Sequence, residues 1–502
     1  MKKENLFILL IFLPLFYLIF NYLINDNFSY TINKGRDKTI DLLISEKKND
    51  SLKLKMYEKA VANYGFFDDK NLRFSDWSKR KTLNEKYELI SVENKFIKTL
   101  GPRSFLDEYK ENLFLATGSG HLFYSSINEY VEKINLDKHE EMYGKTDIVF
   151  KKIETNLLEG FILPNLTPKI YKLIRAQSKS YELTWVKDSL ILNNKIYISF
   201  VAMNNSCFSN AILEGEINFK KIFFKKIFDT NVCNKEWHNQ VGGRLSNYKD
   251  NKILLSVGDW RSIESLDAPG DIKFQTMAGE PVKKDNENKK KILTTENPQN
   301  LNSLIGKIIA IDRNTYEHSI KSMGHRNPDG LFYDFKNDVI ISSDHGPQGG
   351  DEINLIRNYS VKEVPNFGWP ISSYGEHYGF PESKETKKNT YEVSPLYKSH
   401  EKYGFEEPLK FFTPSVAPSQ LTQVEKNNIY KIYLGTLGWD KNRLGVHALH
   451  IFELNNNFEI KNHEIIDLGG RARDILYIAS KDIILIYQES NGRLININEI
   501  KN

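Results

Sequence analysis

The residue types able to do chemistry are densest in two short stretches on either side of an apolar run. Ahead of it stands Gly324-His325-Arg326-Asn327-Pro328-Asp329-Gly330-Leu331, and behind it Asp344-His345-Gly346-Pro347-Gln348-Gly349-Gly350-Asp351-Glu352-Ile353-Asn354. Arg326 offers a planar fork of donors suited to a carboxylate or quinone oxygen, and Asn327 adds a donor and an acceptor. The Gly346-Pro347 turn with two further glycines leaves main-chain carbonyls for a hard cation, which takes oxygen ligands, while Asp351 and Glu352 supply negative charge. The same composition also makes a tight structural turn, so the loop alone does not decide between the two.

The elements that must position these residues show as a loose repeat. Ser104 to Gly118, Arg244 to Gly258, Gly330 to Asp344 and Asp474 to Tyr487 each read as a strand, a polar turn and a strongly apolar strand. Returning hairpins over roughly 400 residues fit the four-stranded blades of a β-propeller better than a large β-sandwich. In a propeller the inner strands converge on the axis, so a site belongs at the ends of these apolar strands.

Before the repeats, Leu6 to Phe20 is apolar apart from Tyr17, and the run continues to Ile24, about the 20 residues that cross a bilayer. It lacks a small-residue cleavage pattern and follows Lys2 and Lys3, with Asp26 after it. This reads as an uncleaved signal-anchor over residues 1–26 that leaves the bulk of the chain on the extracytoplasmic, periplasmic side of the cell membrane. Residues 27–95 carry apolar positions at helical spacing and read as a helical stem, and residues 96–502 as an all-β propeller. A net charge of +4 over 502 residues gives no basic field, which excludes nucleic acid as a partner. Cys207 and Cys233 flank one hairpin, Ala211 to Asp229, and either form one bridge or stay as two thiols.

Together with Asn366-Phe367-Gly368-Trp369-Pro370, the two stretches resemble the soluble quinoprotein glucose and aldose sugar dehydrogenases, the glucose/sorbosone dehydrogenase family. Gly243-Arg244-Leu245, Gly258-Asp259, Gly306-Lys307-Ile308, Pro414 to Ser419 and Arg471-Ala472-Arg473-Asp474 agree in order, over about Trp237 to Ile497. The resemblance implies a six-bladed propeller that holds pyrroloquinoline quinone (PQQ) and Ca2+ on its axis and oxidises a sugar hydroxyl, passing electrons to an acceptor. It implies Arg326, Asn327, Arg471 and Arg473 as PQQ contacts, with Gln240 beside them. Carbonyls of Gly346 and Pro347 would hold the calcium on the quinone, and Glu352 with a carbonyl near Phe367 a second, structural calcium.

Two positions depart from the family pattern. The family's catalytic histidine precedes Gly-Arg-Leu and is held by the aspartate of Gly-Asp, here Asp259. Gln240 stands in the histidine's register and cannot act as a base, so His238, two residues earlier, serves only if the loop bulges. Gly438 stands where the family has a cofactor-binding lysine, for which Lys441 or Arg443 would have to reach back. The leading expectation is a PQQ- and calcium-dependent sugar dehydrogenase. The alternative is a propeller of the same descent that has lost this chemistry and binds or scaffolds outside the cytoplasm.

Overall fold

In the computed structural model the described residues are 71–94, 103–134, 142–165, 185–204, 207–234, 240–260, 298–357, 364–377, 391, 394–426, 429–438, 440–489 and 492–500. Contacts divide the chain into Val61–Ile162 with Tyr181–Asn502, and a second unit, Met1–Ala60 with Leu163–Ser180, of which only a 3-10 turn, Leu163–Asn165, is described. The expected membrane anchor lies outside the described residues. Among the described residues no helix is long and apolar enough to cross a membrane.

The larger unit is built from antiparallel sheets of four strands. One sheet contains β3 (Ser104–Tyr109), β4 (Asn112–Thr117), β5 (Leu122–Ser126) and β6 (Tyr143–Thr155). The next has β7 (Val186–Leu192), β8 (Lys195–Asn204), β9 (Cys207–Glu216) and β11 (Lys225–Asp229), while β10 (Lys221–Ile222) pairs in parallel with β6. Then come β12 (Gly242–Tyr248), β13 (Lys252–Val257), β14 (Lys307–Asp312) and β15 (His318–Met323). They are followed by β16 (Pro328–Asp334), β17 (Val339–Asp344), β18 (Asp351–Arg357) and β19 (Lys410–Phe412). A fifth sheet has β20 (Pro418–Lys426), β21 (Ile429–Thr436), β22 (Ala448–Leu454) and β23 (Ile460–Asp467). The C-terminal strands β24 (Ala472–Ile478), β25 (Ile483–Gln488) and β26 (Arg493–Glu499) take their fourth strand from the other end of the chain, β2 (Tyr87–Asn94). A further strand, β1 (Asn71–Lys81), pairs with both β2 and β6 and joins these outer edges into one ten-stranded sheet.

Each sequence repeat is the inner hairpin of its sheet: β3–β4, β12–β13, β16–β17 and β24–β25. Their turns use the left-handed backbone region, at Lys110, at Asp250 and Asn251, at Asp338 and at Asp482, mostly the Asx residues that tolerate it. The innermost strands β3, β7, β12, β16, β20 and β24 touch their neighbours in that order, and β24 returns to β3. Apolar side chains fill the space between successive sheets, as where Phe105 and Phe114 meet Ile198 and Phe200. This architecture is consistent with a β-propeller.

The helical stem is corrected over its last third. Asn71–Lys81 and Tyr87–Asn94 are strands. Strand pairing overrides the weak helical spacing there because Leu89 and Val92 supply the buried side chains that the C-terminal three-stranded group lacks. The Cys207–Cys233 alternatives are settled as a bridge, with the two Cα atoms 4.7 Å apart.

Candidate active site

Arg326 lies in the loop entering β16 and is almost wholly buried. Its Nη1 donates to the carbonyls of His345 at 3.0 Å and Gly346 at 2.8 Å, and its guanidinium lies 5.4 Å from the Trp369 ring centre. In the amide orientation that satisfies both neighbours, Gln240 accepts from Arg326 Nη2 at 2.8 Å and donates to Asp259 Oδ1 at 3.3 Å. Trp369 Nε1 donates to the other Asp259 oxygen at 2.9 Å. Gly258 permits this close seating, because a Cβ there would stand 2.4 Å from the Gln240 carbonyl oxygen. Asn327 accepts from the Gly242 amide at 3.0 Å through its side-chain oxygen. Asp344 fixes both residues by accepting from the Arg326 and Asn327 backbone N–H groups.

A second group continues this one. Arg473 donates to Glu489 from Nε at 2.6 Å and to Asp329 from Nη1 at 2.8 Å, and Arg471 also pairs with Glu489 and bonds the Leu437 carbonyl. His345 Nε2 lies 3.6 Å from the same Asp329 carboxylate and has no hydrogen-bond partner among the described residues. Burial pushes His345 down to about 4, with Arg473 and Arg326 assisting against Asp329, so its imidazole is neutral at pH 7. Burial would raise Glu489, but Arg473, Arg471 and Arg103 outweigh it and hold the carboxyl well below its ordinary range. Arg103 is driven down to about 10 by burial and then by the neighbouring Arg473 charge. Beneath them Arg244, wholly buried, pairs with Asp188 at 3.2 Å and Asp474 at 2.7 Å and donates to the backbone carbonyls of Asp329 and Arg473.

The expected cofactor residues Gln240, Arg326, Asn327, Arg471 and Arg473 therefore form one connected cluster with Asp259 and Gly346. His238 lies outside the described residues. Lys441 and Arg443 line a cleft beside the β1–β2 turn with Arg80 and Leu83, and Arg443 bonds the Ser415 carbonyl, so the Gly438 position gains no replacement lysine from them. Sequence reasoning missed Asp329, His345, Arg103 and Glu489. Glu489 had a usable signal, since it directly follows an apolar inner-hairpin strand, and Asp259 stands one residue further past the end of its own.

The donor chemistry fits an anionic quinone: Arg103, Arg471 and Arg473 gather around Asp329 and Glu489, and Arg326 adds a guanidinium whose Nη1 is bonded to main-chain carbonyls. It does not fit calcium as arranged. The Gly346 carbonyl is taken by Arg326, and that of Pro347 accepts from Gly350 N at 3.0 Å and Ser415 Oγ at 3.3 Å. At the second position His400 Nε2, fully buried, lies 3.3 Å from Glu352. Burial would lower His400, but Glu352, Glu407 and the Phe367 backbone raise it.

Comparison with known proteins bears on the family and the fold. The family model described as Glucose / Sorbosone dehydrogenase matches residues 186–496. The Synechocystis protein slr1608 is 25% identical over 307 residues, 59% of this chain and 63% of its own length. Aldose sugar dehydrogenase YliI of Escherichia coli is 27% identical over 186 residues, 36% of this chain and 43% of its own. This chain thus matches less than two thirds of either relative. The crystal structure of the soluble aldose sugar dehydrogenase from Escherichia coli, in its apo form, superposes with a TM-score of 0.50 at 14% identity, covering 80% of this chain and 99% of that one, a likeness of fold. With the family model matching more than half of its length, the chain belongs to the glucose/sorbosone dehydrogenase family.

Proposed function

We propose that this chain is a six-bladed propeller whose axial cluster binds PQQ and oxidises a hydroxyl of an aldose or related sugar outside the cytoplasm. Members of the family are PQQ quinoproteins. The observation that carries the reading is the grouping of Arg103, Arg471 and Arg473 around Asp329 and Glu489, beside Arg326 and Asn327. When bound, the quinone supplies a two-electron hydride acceptor.

The chain's own residues supply the rest. Arg471 and Arg473 hold carboxylates while Glu489 and Asp329 fix their direction, and Arg326 and Asn327 present donors beside them. Asp259, anchored by Trp369, orients the proton acceptor that the sugar hydroxyl requires. Gln240 positions Arg326 and Asp259, and His238 is the acceptor in this reading. Residues 1–26 anchor the protein to the cell membrane with the propeller on the periplasmic side.

A second reading, a binding module without PQQ chemistry, draws support from Gln240 in the histidine's register and from the internal pairing of Arg471 and Arg473 with Glu489. Purified protein with PQQ, an aldose and a redox dye separates them. The dehydrogenase reading expects dye reduction, and His238→Ala lowers kcat by about 10² to 10⁴ with PQQ still bound. Sugar binding without dye reduction favours the module.

A further inference from the structure

Both positions at which the family resemblance implies calcium already contain a nitrogen donor of this chain. At the first, Arg326 Nη1 binds the Gly346 and His345 carbonyls together, at 2.8 and 3.0 Å. A calcium ion needs six to eight oxygen ligands at about 2.3–2.6 Å, which leaves no room for a guanidinium on the same carbonyl oxygen. The neighbouring carboxylate, Asp351, is turned away: its oxygens accept from the Gly346, Val416 and Ala417 amides at 3.1, 2.8 and 2.7 Å. At the second, the His400 imidazole is fully buried against Glu352, 5.3 Å from the Tyr374 ring. Among the described residues no three His, Cys, Asp or Glu side chains converge as a metal set.

We infer that Arg326 and His400 occupy the two calcium positions with their own side chains, so that this chain holds these loops and its axial ligand without calcium. The inference uses the quinone reading for the ligand only, and the loop argument stands without it. In place of a divalent ion at the first position, Arg326 supplies a fixed positive charge that stays protonated at any working pH. The buried His400 imidazole, 3.3 Å from Glu352, also fills the Glu352 loop without a metal equilibrium.

The test uses the full chain purified in detergent, stripped with EDTA, then titrated with CaCl2 by calorimetry and melted with and without calcium. The wild type should give no saturable calcium binding at micromolar concentration and one Tm in EDTA and in calcium. His400→Ala and the milder His400→Gln should lower Tm, and millimolar calcium should return part of the loss by binding the vacated Glu352. Saturable micromolar binding with a rise in wild-type Tm overturns the inference, as does absence of calcium rescue in both variants. PQQ titrated in EDTA keeps the two readings apart. Binding there supports both, binding only after calcium sinks this inference alone, and no binding under either condition removes the quinone reading while the calcium melts still decide this one.

Discussion

Glu489→Gln is the sharpest perturbation of the axial cluster. Glu489 is almost wholly buried and takes charged hydrogen bonds from two guanidiniums, that of Arg473 Nε at 2.6 Å and that of Arg471 Nε. Glutamine keeps the shape but one acceptor oxygen, so one guanidinium keeps a hydrogen bond to a neutral acceptor, weaker by about 1 kcal/mol, and the other is set against the amide NH2. The larger effect is charge: Arg473, Arg471 and Arg103 lose the carboxylate that all three face, and removing one partner of a buried pair costs about 3 to 5 kcal/mol. We expect a loss of about 3 kcal/mol or more by urea unfolding. The pH dependence gives a second check. Because the folded carboxyl is held below its ordinary 4.5, its stabilisation is fully present above pH 4.5 and is lost as pH falls toward the folded value. The variant should lack that acid limb. It should also bind anionic ligands more tightly, since the cluster gains net positive charge. A loss under about 1 kcal/mol, together with an acid limb that superimposes on the wild type's, refutes the electrostatic account.

Arg244→Met leaves Asp188 and Asp474 facing each other without their shared cation, and should cost about 3 to 5 kcal/mol in chemical denaturation; adding Asp474→Asn should recover part of it, as coupled neighbours do. Cys207→Ser opens a loop of 26 residues, worth up to about 3.5 kcal/mol by chain entropy, and reducing the wild type should mimic it in thermal melts. Asp351→Asn sets an amide NH2 against backbone N–H donors of Gly346, Val416 or Ala417, which should cost about 1 to 3 kcal/mol and lower the proteolytic resistance of the loop that carries Gly346.

Much of the architecture was legible because hairpins advertise themselves locally. Four inner hairpins stood out by their polar turns and apolar second strands. Those of β7–β8 and β20–β21 did not, since Lys187-Asp188 and the polar alternation Gln420 to Glu425 blur the first strand of each. The strand role of Asn71–Asn94 was hidden for a different reason. β1 and β2 pair with each other as a hairpin, but β1 is mostly polar and their other partners, β6 and β26, are remote in sequence. The motif residues of the site were readable one by one, and the geometry gathers them. What the sequence could not show is which charges meet. Glu489 and Arg473 come from neighbouring strands, but Asp329 reaches Arg473 from another sheet, and Asp188, Arg244 and Asp474 come from three. Such pairs depend on sheets being brought around one axis, and residue spacing carries no record of them.

Equilibrium titration of PQQ into the purified protein shows whether the guanidinium cluster binds an anionic quinone. Saturable binding of one PQQ per chain is expected, weakened by about 1.5 to 3 kcal/mol in Arg326→Ala and in Arg471→Ala, the range for a hydrogen bond to a charged group. Absence of saturable binding to the wild type, or binding that both substitutions leave unchanged, would contradict it.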